Sequence, residues 1–231
     1  MIALPRLYAI LDTGFLPESD MMFAVAKELV AAGCTLLQYR NKSGNAQVML
    51  EQARELRRIF PPSRNPHLWQ DRPEVGHPPM SAAALAPNGS VRLIMNDRAD
   101  LCLAAEFDGV HVGQDDLSAE SVRAIVGPNR WLGVSTHNPE QLREADLTSA
   151  DYLAIGPVFA TSSKEKPDPV VGLEGVHRAR ALTRKPLVAI GGITRTNAAS
   201  VIAAGADSVA VISDLLRDPR KSAEEFFRIL G

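Results

Sequence analysis

Short apolar runs and longer amphipathic stretches alternate along the chain, and the alternation counts out eight times. Leu7–Leu11 predicts a β-strand, closed by the turn Asp12-Thr-Gly14. A helix follows over about Asp20–Ala32, with Met22, Val25, Ala26, Leu29 and Val30 at helical spacing, Asp20 as candidate cap and Gly33 as stop. Strand Cys34–Arg40 leads to helix Ala46–Ile59, whose expected inner face is Val48, Leu50, Ala53, Leu56 and Ile59. From Pro61 to Ser90 the pattern stops: seven of the sixteen prolines fall there, a density that forbids helix interior and central strand alike. That stretch is read as a surface insertion with a short helix near Ser81–Leu85, in preference to an interdomain linker, because the alternation is intact on both sides.

It then resumes. Strand Val91–Asn96 precedes helix Ala99–Ala105, Gly109–Val112 precedes Ala119–Val126, and Trp131–Ser135 precedes Pro139–Ala145. Strand Tyr152–Ile155 meets a long turn, Gly156 to Gly172, before helix Gly175–Leu182. Strand Leu187–Ile190 precedes helix Thr196–Ala204, and Ser208–Ile212 precedes Lys221–Leu230. Eight strand–helix pairs with short β-branched strands predict a single-domain closed (β/α)₈ TIM barrel over residues 1–231. A doubly wound open sheet fits less well, since the first turn lacks a Gly-rich phosphate loop.

Composition narrows the partners. A net charge of −2 offers no basic field for nucleic acid and no polybasic membrane face. No apolar stretch is long enough to span a bilayer, and the N-terminus lacks a basic region and cleavage site, so a cytoplasmic enzyme is expected. Cys34 and Cys102 sit in apolar runs and are expected to be reduced core residues. Small molecules are the expected partners, with no nucleic acid and no membrane; homo-oligomerisation is left open.

In a barrel the chemistry gathers where strands end. Strand two ends in Gln38-Tyr-Arg40-Asn-Lys42, whose two cations project to one side of an extended segment and suit a di-anion such as pyrophosphate. Strand three ends in Asn96-Asp97-Arg98 and strand four in Gly113-Gln-Asp-Asp116. Asp97 and Asp116 either cap the helices that follow or form a carboxylate pair of the kind that holds Mg²⁺ with phosphate oxygens and water. Strand five ends in Ser135-Thr-His137, and a hydroxyl-rich loop after strand six carries Thr161, Ser163 and Lys164. Gly191-Gly192 after strand seven and Ile212-Ser213 after strand eight match a monophosphate pocket built from backbone N–H groups. A monophosphate pocket opposite a Mg²⁺–pyrophosphate cluster suits the joining of a phosphorylated acceptor to a donor with a pyrophosphate leaving group.

Tyr8-Ala-Ile-Leu-Asp12, Gln38–Lys42, Asn96-Asp-Arg98, Asp108–Asp116, Gly133–His137, Gly156-Pro157 with Thr161–Lys164, Gly191-Gly-Ile193 and Val211-Ile-Ser213 form an ordered motif series. It resembles the thiamine-phosphate synthase (thiamine-phosphate pyrophosphorylase) family over nearly the whole chain except the Pro61–Ser90 region. The resemblance implies a Mg²⁺-dependent transferase that couples a hydroxymethyl-aminopyrimidine pyrophosphate to a hydroxyethylthiazole phosphate, or its carboxylated form, giving thiamine phosphate and pyrophosphate. It also implies roles. Arg40, Lys42, Asn96 and Lys164 bind pyrophosphate, and Asp97 and Asp116 bind Mg²⁺. Ser135 lies beside the leaving group and pyrimidine, and Gln38 against the pyrimidine ring. Thr161 and Ser163, with the Gly192, Ile212 and Ser213 backbone, bind the thiazole phosphate. Arg40, Ser135 and Lys164 are thereby the catalytic set.

Tyr39 and Asn41 depart from the family's more usual apolar residue and acid, and Ser163 replaces a common Thr while keeping the hydroxyl. Two alternatives stay open: a thiazole tautomerase on the same barrel, whose base would stand at His137, and a non-catalytic phosphate-binding barrel. The paired carboxylates and cations favour the synthase. His111 is read as a packed barrel residue, while His67, His77 and His177 are read as surface groups.

Overall fold

The computed structural model describes residues 2–62, 90–161 and 168–231. The insertion's interior, with the helix expected near 81–85, lies outside the described residues, as do Ser163 and Lys164. Eight parallel strands close into one barrel in sequence order: β1 Leu7–Asp12, β2 Leu36–Arg40, β3 Arg92–Asn96, β4 Gly109–Val112, β5 Trp131–Thr136, β6 Tyr152–Ile155, β7 Leu187–Ile190 and β8 Ser208–Val211. Each is followed by a helix: α1 Ser19–Ala31, α2 Ala46–Ile59, α3 Ala99–Ala104, α4 Ala119–Val126, α5 Pro139–Asp146, α6 Gly172–Leu182, α7 Ala198–Ala203 and α8 Pro219–Leu230. The expected TIM barrel is thus present. Among the described residues no helix is long and apolar enough to cross a membrane.

Several boundaries move, each for a tertiary reason. β1 runs on to Asp12, because that residue still pairs with Arg40 of β2. β2 begins at Leu36, since the Cys34 N–H is consumed closing α1 on the Leu29 carbonyl. Asp20 does not cap α1. The cap position is Glu18 without a side-chain bond, and the neighbouring Ser19 hydroxyl instead accepts from Gln52 on α2 at 2.8 Å. The inner face of α2 is rotated from the expected one: Met49, Ala53 and Leu56 are buried while Val48 is exposed. α6 starts at Gly172, α7 is shortened to Ala198–Ala203, and β8 stops at Val211 before an unforeseen 3₁₀ turn, Ser213–Leu215. α8 starts at Pro219, with Asp218 capping it.

Strands buried on both faces form two hydrophobic layers. Tyr8, Ile10, Leu36, Ile94, Tyr152, Ala154, Val188 and Ala210 fill the barrel interior, and a larger cluster packs strands against helices. Both cysteines are buried and free, as expected.

The lower rim carries one clamp used three times. Asp108, Asp151 and Asp207 immediately precede β4, β6 and β8. Each accepts an N–H from the strand before, from Leu93, Leu132 and Leu187 respectively, at 2.8 Å. Each also takes a guanidinium from the preceding even-numbered helix: Arg57 and Arg123 at 2.7 Å and Arg180 at 2.8 Å. Fixing the strand starts fixes which residues emerge together at the upper rim. We expect Asp151→Ala to cost about 1–3 kcal/mol, since it orphans a guanidinium and a backbone donor. That is a fall of roughly 2–4 °C in thermal midpoint per kcal/mol for a chain of this size. A midpoint unchanged by the substitution would remove the clamp's role.

Candidate active site

The upper rim opens into a cavity of about 1350 Å³. Its walls carry Gln38, Arg40, Lys42, Asn96, Asp97, Asp116, Ser135, Thr161, Gly192, Ile212 and Ser213, so the described candidates from six strand ends and one loop meet in one space.

Arg40 is the last residue of β2 and pairs with the Asp12 carboxylate at the end of β1. Asp12 is almost fully buried and also accepts the Gly14 N–H at 2.9 Å, so it holds the guanidinium from beneath. Sequence reasoning assigned Asp12 to a turn. Its place at the end of the Tyr8–Asp12 motif was the available signal. Two residues beyond Arg40, Lys42 pairs with Asp97. The intervening Asn41 faces the other way and is buried: its side chain donates to Tyr39 Oη at 3.1 Å and to Gln52 Oε1 at 3.0 Å, while accepting the Ser43 N–H at 2.8 Å. Tyr39 and Asn41, two of the residues that depart from the family pattern, therefore fasten the Lys42 loop to α2.

Neither acid caps a helix. The cap position of α3 is Arg98 without a side-chain bond, and α4 is capped by Ser118, which accepts the Ser121 N–H at 3.3 Å. Asp116 is instead held by the Gly113 N–H at 2.8 Å. Asp97 has a left-handed backbone, φ 61°, which Asp tolerates better than most residues. Its carboxyl is held above the ordinary carboxylate range, first by desolvation and then by the adjacent Asp116, against the pull of Lys42. Among the described residues no set of three or more His, Cys, Asp or Glu gathers as a self-sufficient metal site. Two carboxylates facing each other suit a hard dication that takes its other ligands from phosphate and water, so the residues present fit Mg²⁺ bound together with a phosphorylated ligand. Asn96 adds a buried Nδ2 donor that has no partner among the described residues.

Across the cavity the strand ends are shaped for backbone contact. Gly192 has φ 62°, and a Cβ there would lie 2.5 Å from the Ala160 carbonyl oxygen, so only glycine fits. Asn197 anchors this turn by donating to the Gly192 carbonyl at 3.0 Å. His137 also lines the cavity. Its Nδ1 meets the Gly156 carbonyl at 2.6 Å, and its Nε2 lies 3.6 Å from Asp168.

Beneath Ser135 lies a feature that sequence reasoning missed. Ser135 Oγ is 2.8 Å from His111 Nε2, His111 Nδ1 is 3.1 Å from Tyr152 Oη, Tyr152 Oη is 3.1 Å from Tyr8 Oη, and Gln38 donates to Tyr8 Oη at 2.8 Å. His111 is packed in the barrel, as read, but it is also joined to the cavity floor. Burial pulls its imidazole down to about 4, against a smaller opposing effect of Asp116, so the ring is neutral near neutral pH.

Residues 79–215 match the thiamine monophosphate synthase family model. The chain is 56% identical to the thiamine-phosphate synthase of Koribacter versatilis, covering 99% of this chain and 97% of that protein. It is 39% identical to that of Chloroflexus aurantiacus, covering 90% and 83%. Among solved structures it is similar to the thiamine phosphate pyrophosphorylase of Pyrococcus furiosus, with a TM-score of 0.75 and 31% identity over 97% of this chain and 95% of that one. These relatives carry the synthase's name, which weighs against both the tautomerase and the non-catalytic alternative. With a family match over more than half its length and a relative similar from end to end, the chain belongs to the thiamine-phosphate synthase family.

Proposed function

We propose that this transferase joins an aminopyrimidine-methyl pyrophosphate to a thiazole phosphate by a dissociative substitution at the pyrimidine methylene. The observation that carries the reading is the meeting of Asp97, Asp116, Lys42 and Arg40 in one cavity with the Gly192 and Ser213 turns. The C–O bond to pyrophosphate breaks and its electron pair leaves with the phosphate oxygen. The ring amino group delocalises the cation left behind, and the thiazole nitrogen supplies the pair for the new C–N bond. The protein needs no nucleophile for this. It must place charge where the leaving group becomes anionic and keep water from the cation.

Arg40, Lys42 and Asn96 would bind the pyrophosphate, with Lys164 joining them by similarity to the family motif. Lys42 turns from Asp97 to the ligand. Bound by Asp97 and Asp116, Mg²⁺ would supply further positive charge against the pyrophosphate oxygens. Ser135 would donate a hydrogen bond beside the leaving group, and Gln38 would orient the pyrimidine. Thr161, Ser163 and the backbone of Gly192, Ile212 and Ser213 would take the thiazole phosphate. At about 1350 Å³ the cavity has room for two ligands side by side. Whether the thiazole is plain or carboxylated, the same phosphate pocket serves.

The direct test supplies both substrates with Mg²⁺ and measures products: thiamine phosphate and pyrophosphate should form in equal amounts and only when both substrates are present. Product without pyrophosphate would overturn the proposed chemistry. Arg40→Ala is expected to lower kcat on the order of a hundredfold, the scale of losing one preorganised charge-stabilising group; a rate within about threefold of wild type defeats that role. Lys164→Ala should fall to a similar level, and Asp116→Asn should shift the Mg²⁺ titration to higher concentration, an unshifted curve counting against metal there. Asp97→Asn carries a second readout. A carboxyl held above its unfolded value favours folding while protonated, and that contribution is lost as pH rises through the raised value. Metal-free Asp97→Asn should therefore melt above wild type at neutral pH, with the gap closing on the acid side. A lower midpoint at neutral pH would contradict the charge balance.

A further inference from the structure

We propose that the buried chain Gln38–Tyr8–Tyr152–His111–Ser135 is a one-way hydrogen-bond relay that turns the Ser135 hydroxyl proton into the cavity, making Tyr8, Tyr152 and His111 positioning residues. The inference rests on the placement of the leaving group beside Ser135 proposed above.

Direction follows from counting protons. The Gln38 amide nitrogen donates to Tyr8 Oη. A phenol has one proton, so Tyr8, satisfied as an acceptor on that side, gives its own to Tyr152. Tyr152 in turn gives its proton to His111 Nδ1. A neutral imidazole that accepts at Nδ1 carries its hydrogen on Nε2, and that hydrogen points at Ser135 Oγ. Among the described residues nothing then accepts the Ser135 hydroxyl proton, and the open side of Ser135 is the cavity. Reversed, with the Gln38 carbonyl toward Tyr8, the same contacts would spend the serine proton on the histidine and present only lone pairs to an anion. The surrounding cavity wall argues for the first sense, since Asn96 Nδ2, Arg40 and Lys42 are donors as well.

The barrel is built to allow this contact. His111, Gly133 and Tyr152 are side-by-side partners across β4, β5 and β6. A Cβ on Gly133 would stand 2.2 Å from Tyr152 Cζ and 2.3 Å from His111 Nδ1, so the relay crosses β5 only because that strand has no side chain there. Tyr8, Tyr152, Gln38 and His111 are all buried, which leaves their hydroxyls and ring nitrogens to satisfy one another. A chain of this kind links the end that orients the pyrimidine to the end that meets the departing oxygen.

The test uses the full-length protein. Long-range proton–nitrogen correlation spectra, with His111 assigned through His111→Gln, read the tautomer without substrate. The relay requires an unprotonated Nδ1 and a protonated Nε2 near neutral pH; a protonated Nδ1 overturns the assigned direction. Tyr152→Phe should release the tautomer into a mixture and lower kcat about tenfold, the scale of one misaligned hydrogen bond, with KM for the pyrimidine substrate within about twofold. Ser135→Ala combined with Tyr152→Phe should be no slower than Ser135→Ala alone, because both act through one group. Losses that multiply would mark Tyr152 as merely structural and overturn the relay. If Tyr152→Phe does not fold, Tyr8→Phe breaks the chain one link earlier and is read the same way. Full turnover in Ser135→Ala would instead strike at the leaving-group placement, whatever tautomer the spectra show.

Discussion

Two carboxylates held against each other in a partly desolvated site are costly, and the upper rim of this barrel is arranged around that cost. Asp97 and Asp116 repel; Lys42 offsets this on Asp97 and the Gly113 N–H on Asp116. Such a pair suits a cation whose remaining ligands, in the proposed reaction, would arrive with the substrate. Lys42, paired with Asp97, would then become available to the phosphate. In the proposed reaction the pair would link binding of the metal to binding of the pyrophosphate, since each would complete what the other lacks.

The barrel supplies the positions. Strand starts clamped by Asp108, Asp151 and Asp207 fix the register, and the register decides that Asp97, Asp116 and Ser135 emerge on one rim with Arg40. Supports lie one layer below: Asp12 under Arg40, Gly113 beside Asp116, and His111 under Ser135. Charged groups held this way need little reorganisation as the leaving group develops its charge.

Much of this was legible in the sequence because each strand–helix unit carries its own punctuation. Gly33, Ser118 and the Asn138-Pro139 pair mark element ends locally, so the eightfold alternation was countable and the strand ends could be searched for chemistry. Where a boundary depended on a partner, it was not. β1 gains Asp12 from pairing with Arg40, and α2 turns its face to suit neighbours that its own periodicity does not contain. The site divides the same way. Acids and cations at strand ends announce themselves, whereas the contact of Tyr8 with Tyr152 spans 144 positions and depends on which residues face each other inside a closed barrel. A tyrosine in an apolar run looks like core, and both are core; their hydroxyls make the difference.

The central claim is spatial, and a crystal structure of the protein soaked with pyrophosphate and Mg²⁺ tests it most directly. The account places the metal on Asp97 and Asp116 with the pyrophosphate spanning to Arg40, Lys42 and Asn96, and with Lys42 turned away from Asp97. Pyrophosphate bound elsewhere on the barrel, or seated there with Asp97 and Asp116 bare of metal and Lys42 still on Asp97, would contradict it.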